Sequence, residues 1–179
     1  MRMKFALACF VYVFAIVVHE KTEAATITIL DKVKALICDN YIPNKCPTGW
    51  LLYKRKCYFF SADKVSWDDA EESCRNKNAH LAKVDDYDEN SWIVANSKAS
   101  NDYRHILWIG GNDKAKEGEW RWTADQSLFV FKHWDFDYKE PNGGKEENCL
   151  NLMWKSSDGR WNDNACTEKF AYVCEMNQI

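Results

Sequence analysis

No stripe or cluster of basic residues runs through this chain: its 24 Lys and Arg are scattered among 27 Asp and Glu, for a formal net charge of −3. Nucleic acid, whose phosphates call for a concentrated positive face, is thereby excluded as the main partner. Beyond the N-terminus no apolar stretch approaches the ~20 residues that a helix needs to cross a bilayer. Internal repeats and low-complexity tracts are absent, so 179 residues read as one compact domain with a modest extension. Catalytic patterns are missing too. His80, His105 and His133 keep no metal-ligand or triad spacing, and no nucleophile motif occurs. Glu140, Glu146 and Glu147 can be imagined as glycosidase carboxylates, but nothing beside them supports that chemistry. An enzyme is not expected.

What is present begins with a leader. Met1-Arg2-Met3-Lys4 is a basic start, residues 5–18 form an uninterrupted apolar run of fourteen, and Ala24-Ala25 offers a small-residue end. His19-Glu20-Lys21 stops the run short of a membrane span, so residues 1–25 read as a secretory signal and the mature protein as extracellular. Of eight cysteines, Cys9 falls in that leader. Cys38, Cys46, Cys57, Cys74, Cys149, Cys166 and Cys174 remain, and seven cysteines in an oxidising compartment imply disulfides with one thiol left over. Six cysteines allow fifteen pairings, among which spacing does not choose. Nine Trp, eight Tyr and nine Phe are a heavy aromatic load, whose expected use is core packing.

Residues 26–45 form a connecting segment in which Ile29, Val33, Leu36 and Ile37 follow helical spacing. It reads either as one short amphipathic helix or as an N-terminal arm, and it falls short of the ~3–4 heptads of a coiled coil. The domain proper spans 46–179. Residues 51–61, rich in Tyr and Phe, read as a hairpin of early strands. Ser66-Trp67-Asp68-Asp69 is a helix start that presents Trp67, Ala70 and Cys74 inward, with Glu71, Glu72, Arg75 and Lys77 outside. Residues 78–82 turn into a strand, and 88–99 give a second helix through Trp92, Ile93 and Ala95. Strands are predicted at 107–111, 118–122, 149–154, 159–161 and 170–174, with a turn at 156–159. Between Thr123 and Gly144 regular periodicity disappears, and a loop of that length inside a compact domain usually carries function.

At the end of that stretch stand Glu140-Pro141-Asn142, then Glu147-Asn148-Cys149, then Trp161-Asn162-Asp163. Glu140, Asn142, Glu147, Asn162 and Asp163 supply three carboxylates and two amides with no His or Cys among them. Such hard oxygens suit Ca2+, which takes about 6–8 of them, and suit zinc poorly. Cys149 and Cys166 lie just beyond the two clusters, and a disulfide between them would pin one cluster against the other. The three motifs, with Trp108-Ile109-Gly110 and the six cysteines in register, resemble the C-type lectin domain in its mannose-type form. The resemblance covers 46–175.

The resemblance implies an α+β fold of two helices with small antiparallel sheets and a long calcium-binding loop. It implies the disulfides Cys46–Cys57, Cys74–Cys174 and Cys149–Cys166, and leaves Cys38 odd, free to join two chains into a homodimer. In the chain-entropy account the long Cys74–Cys174 loop contributes about 4–5 kcal/mol and the short Cys149–Cys166 loop about 3. The five oxygen-bearing residues are implied to hold the calcium ion, with the Asp163 carbonyl as a further ligand, and to share their remaining hydrogen-bonding capacity with two vicinal sugar hydroxyls. In the family the order Glu-Pro-Asn accompanies mannose, fucose, glucose and N-acetylglucosamine, whereas Gln-Pro-Asp accompanies galactose, and the bond before the proline is cis when calcium is bound.

Two departures are visible. The segment Gly143-Gly144-Lys145-Glu146 is about one residue shorter than in common mannose-type members. An auxiliary calcium site is implied at Asp113 and Glu117, bridged by Glu147, but acids often found in the family are replaced here by Gly143 and Asn148. The expectation is a calcium-dependent lectin for mannose-type glycans on microbial or cell surfaces. The alternative is a lectin-fold protein whose partner is another protein, ice or a mineral surface.

Overall fold

Residues 46–97, 106–153 and 158–178 are described by the structure, a computed structural model. The leader, the connecting segment with Cys38, and Ser156-Ser157 of the expected turn lie outside them. The chain runs β1 (Leu51–Tyr53), β2 (Lys56–Phe60), α1 (Trp67–Arg75), β3 (His80–Leu81), α2 (Tyr87–Ser97), β4 (Ile106–Asn112), β5 (Arg121–Trp122), a 3-10 turn (Gly144–Glu146), β6 (Cys149–Met153), β7 (Arg160–Asn164) and β8 (Ala171–Asn177). Among these, the strands order as β1-β2-β8-β4-β6-β7, with β3 on β8 and β5 on β4. All pairings are antiparallel except β4 with β8, where Leu107 faces Ala171 and Trp108 faces Tyr172. That parallel seam joins the two antiparallel halves.

Local chemistry accounts for the helices. Ser66 caps α1 by accepting from the Asp69 N–H at 3.3 Å, with Asp68 and Asp69 in the first turn, where acids suit the exposed N–H groups. Glu71 does not point to solvent as the amphipathic pattern predicts. It is buried, its carboxylate accepting from the Leu81 N–H at 3.1 Å and the Thr123 hydroxyl at 3.2 Å, so α1 uses it to fasten β3 and the start of the long loop. The predicted strand at 118–122 contracts to two residues because Gly118 turns with φ of 76°. The strand expected at 159–161 instead runs to Asn164, which puts Asn162 and Asp163 on regular backbone.

Three disulfides join Cys46–Cys57, Cys74–Cys174 and Cys149–Cys166, the pairs that the resemblance implies. Cys74–Cys174 lies in a core with Trp67, Leu81, Trp108 and Tyr172. The other core gathers around Trp161, which is fully buried against Trp122, Phe129, Phe131 and Trp134. Its indole N–H donates to Asn90 Oδ1 at 2.8 Å, tying β7 to α2. Phe129 and Trp134 come from the aperiodic stretch, so the long loop is packed into the core through its middle.

Lys56 Nζ reaches Asp85 at 2.8 Å, Glu89 at 3.0 Å and Glu175 at 3.2 Å, and Tyr58 of the same core donates to Glu89. Burial raises the Glu175 carboxyl above its ordinary range. Burial opposes the Lys56 charge, but Glu175, Asp85 and Glu89 together hold it firmly protonated. The network links β2, α2 and β8 and satisfies acids that would otherwise be stranded in the interior.

Candidate calcium and sugar site

β7 is the floor of the site because its pairing with β6 is fully regular, from Cys149–Asn164 to Met153–Arg160. Trp161 anchors that strand in the core, and Asp163, on the same face of the strand, is 1% exposed. Its carboxylate accepts from the Asn142 N–H at 3.0 Å and the Gly143 N–H at 2.9 Å. Two backbone donors from the far side of the loop are thus gathered by one acid, and the Glu-Pro-Asn turn is held over β7. The Glu140–Pro141 bond is cis. Asn142 is exposed, and its Nδ2 donates to the Tyr138 carbonyl at 3.0 Å. Asn162 Nδ2 donates to the Asp163 carbonyl, the oxygen that the resemblance assigns to the metal.

Glu140 is 8% exposed, and one of its oxygens, Oε2, is buried without a hydrogen-bond partner. Burial, then a hydrogen bond shared with Asp163, then the charges of Asp163, Glu147 and Asp135 push its carboxyl up to about 8. Glu147, half-buried, is raised by burial and by Asp163. Three of the five expected residues therefore form one crowded acidic group, and Asn142 and Asn162 are bonded to its edges. Like charges held this close share protons or a cation. Among the described residues no group of three or more His, Cys, Asp and Glu side chains forms a metal cage by itself. A cation here needs the amides and backbone oxygens too, which is the mixed oxygen set that calcium accepts.

The glycine directly after Asn142 has a steric reason. A Cβ at Gly143 would overlap the Glu147 side chain, so the glycine lets Glu147 fold back across the turn. The following 3-10 turn is closed by Glu147 N–H donating to the Gly144 carbonyl at 3.1 Å. Asp113, one of the auxiliary pair, is buried; its N–H donates to the Asn148 carbonyl at 3.2 Å, its Oδ2 accepts from the Gly118 N–H at 2.8 Å, and its Oδ1 has no partner. Burial raises its carboxyl, with Asp163 adding to the shift. Glu117 is exposed on the same turn.

One acid was not singled out from the sequence. Asp135 is buried, its carbonyl accepts from the Tyr138 and Glu140 N–H groups at 3.2 and 3.0 Å, and its charge acts on Glu140. The signal that would have found it is an acid directly after a core-sized Trp in the aperiodic stretch.

The comparisons with known proteins bear on the fold and the family. The family model described as Lectin C-type domain matches residues 63–176. A Perlucin-like protein of Mytilus galloprovincialis is 37% identical over 133 residues, spanning 74% of this chain and 83% of that protein. The solved carbohydrate-recognition domain of the mouse scavenger receptor C-type lectin has a TM-score of 0.66 and 32% identity, over 75% of this chain and 99% of that one. A calcium-independent type II antifreeze protein has the same TM-score of 0.66 at 30% identity, over 75% and 95% of the two chains. The matched family is one of binding domains, and no catalytic family is indicated. With well over half of its length matched by the family model, the chain belongs to the C-type lectin domain family.

Proposed function

We infer that the domain is a secreted, calcium-dependent lectin for mannose-type sugars. The observation that carries this reading is the crowded group of Glu140, Glu147 and Asp163, in which burial first and the neighbouring acids second hold the Glu140 carboxyl up to about 8, and Glu140 Oε2 has no hydrogen-bond partner. Glu140, Asn142, Glu147, Asn162 and Asp163 would hold the ion, and Asp113 with Glu117 would serve a second. The bound ion supplies positions for two vicinal hydroxyls of a sugar. The chain's own groups then recognise those hydroxyls, the carboxylates accepting and the amides donating. The basic, apolar N-terminus supports export, and glycans on microbial or cell surfaces are the class of partner that such a protein would meet.

Retention on mannan-agarose in calcium, followed by complete elution with EDTA, is the expected behaviour. Retention that EDTA does not alter would remove the calcium mechanism. Exchanging Glu140→Gln together with Asn142→Asp reverses acceptor and donor while keeping the oxygen ligands. The ratio of mannose to galactose potency as inhibitors should then fall by about tenfold or more, or about 1.4 kcal/mol. An unchanged ratio at full affinity would mean that this pair does not read the sugar.

A second reading is favoured by the likeness to a calcium-independent antifreeze protein: a lectin fold whose ligand is not a sugar. A glycan array with no calcium-dependent binding would favour it.

A further inference from the structure

We propose that Phe136 and Tyr138 form an aromatic wall beside the calcium site that stacks on the apolar face of a second sugar ring, making the domain selective for disaccharides over monosaccharides. This rests on the calcium-dependent sugar reading. Phe136 is 70% exposed and Tyr138 59%, whereas Phe129 and Trp134 of the same segment are buried. Single exposed aromatics are ordinary, but two within three residues at the rim of a polar site are a sign of a binding surface.

The rings stand on a turn that the site itself holds in place. Lys139 N–H donates to the Phe136 carbonyl at 3.1 Å, Glu140 N–H donates to the Asp135 carbonyl at 3.0 Å, and Lys139 takes a φ of 62°. Asn142 Nδ2 binds the Tyr138 carbonyl at 3.0 Å. The turn is therefore bonded to Glu140 and Asn142, two of the residues assigned to the first sugar. Tyr138 is two residues from Glu140, so their Cα atoms are at most about 7 Å apart. A sugar on the ion carries its glycosidic neighbour over the edges of the site, and this wall is one of them. A pyranose ring turns a patch of C–H groups to one face, and an aromatic face accepts such a patch without demanding hydrogen bonds. The acids nearby disfavour an anionic ligand, which suits a neutral sugar as the occupant.

The test is inhibition of mannan binding by methyl α-mannoside, by an α-linked mannobiose and by an aryl α-mannoside, using wild type, Phe136→Ala, Tyr138→Ala and Tyr138→Phe. Wild type should prefer the disaccharide to the monosaccharide by about fivefold or more, well above the roughly twofold expected from two equivalent ends alone. Each alanine variant should reduce that preference to about twofold with unchanged potency of methyl α-mannoside, and Tyr138→Phe should retain it. A wild-type preference of twofold or less overturns the wall, as does an alanine variant that keeps the full preference. A gain for the aryl mannoside with none for mannobiose overturns the sugar as occupant. If wild type does not bind mannan in calcium at all, the underlying sugar reading fails. Unchanged potency of the monosaccharide confirms that a variant has kept its fold and its first site.

Discussion

Asp163→Ala is expected to abolish calcium binding and sugar retention together, lowering calcium affinity by more than about 100-fold, or at least about 2.7 kcal/mol. The residue has two tasks that share one side chain. It contributes a buried carboxylate to the acidic group, and it accepts the Asn142 and Gly143 N–H groups that hold the Glu-Pro-Asn turn over β7. Removing it leaves both donors without an acceptor, at about 1–3 kcal/mol each where they are shielded from water, and takes a full charge from the site. Asp163→Asn keeps the shape and one acceptor oxygen, so it should restore much of the heat stability without restoring calcium. Calorimetric titration with calcium, mannan retention and thermal melting decide the matter. An alanine variant that loses sugar but binds calcium normally would separate the two tasks, and the shared-shell account would fail.

Without calcium, the domain should be more resistant to heat at pH 5 than at pH 8, and calcium should reverse the difference. Glu140 has an ordinary value of 4.5 and is held up to about 8 in the folded chain. The folded state therefore binds the extra proton more tightly than the unfolded one. Its contribution is fully present below about pH 4.5 and is lost as pH rises through about 8. Glu147, Asp113 and Glu175 shift in the same direction. Asp69, Asp86, Asp125 and Glu119 shift downward through their hydrogen bonds, and what they contribute is lost only in acid below the ordinary carboxylate range. They lie at the surface, so the loss is small. Between pH 5 and 8 the raised group governs, and a few kcal/mol translates into roughly 5–15 °C for a domain of this size. Melting in EDTA across this range, repeated with millimolar calcium, is the measurement. A calcium-free melting temperature that is flat or rises toward pH 8 would mean that the acids do not repel one another as their placement implies.

How much of this was legible in the sequence depends on how local the cause is. The start of α1 is written in adjacent residues, Ser66 with Asp69, and the structure keeps that cap. The disulfides were legible only through the resemblance, because cysteine spacing is silent on pairing. Glu71 was misplaced because its partners, Leu81 and Thr123, are 10 and 52 positions away, and helical periodicity sees neither. Asp135 lay hidden for a similar reason: its importance comes from the return of the chain to β7, where its N–H donates to the Trp161 carbonyl at 2.9 Å. The five oxygen-bearing residues were visible as types in a pattern. That they meet was legible only through the resemblance; the way Glu147 reaches the other acids was not, since it depends on Gly143 giving Glu147 room.

The backbone contact between Trp134 and Trp161, with Trp161 N–H donating to the His133 carbonyl at 2.8 Å, divides the long loop into two stretches with separate duties. Upstream of it the chain supplies Phe129 and Trp134 to the core, and a change there would be felt as lost stability. Downstream it carries Phe136 to Glu147, whose exposed tips can be lengthened, shortened or replaced while the buried indoles keep the strand beneath them in register. Such a division is a modular joint. Laboratory grafting is therefore expected to exchange the turn while the scaffold beneath keeps its fold.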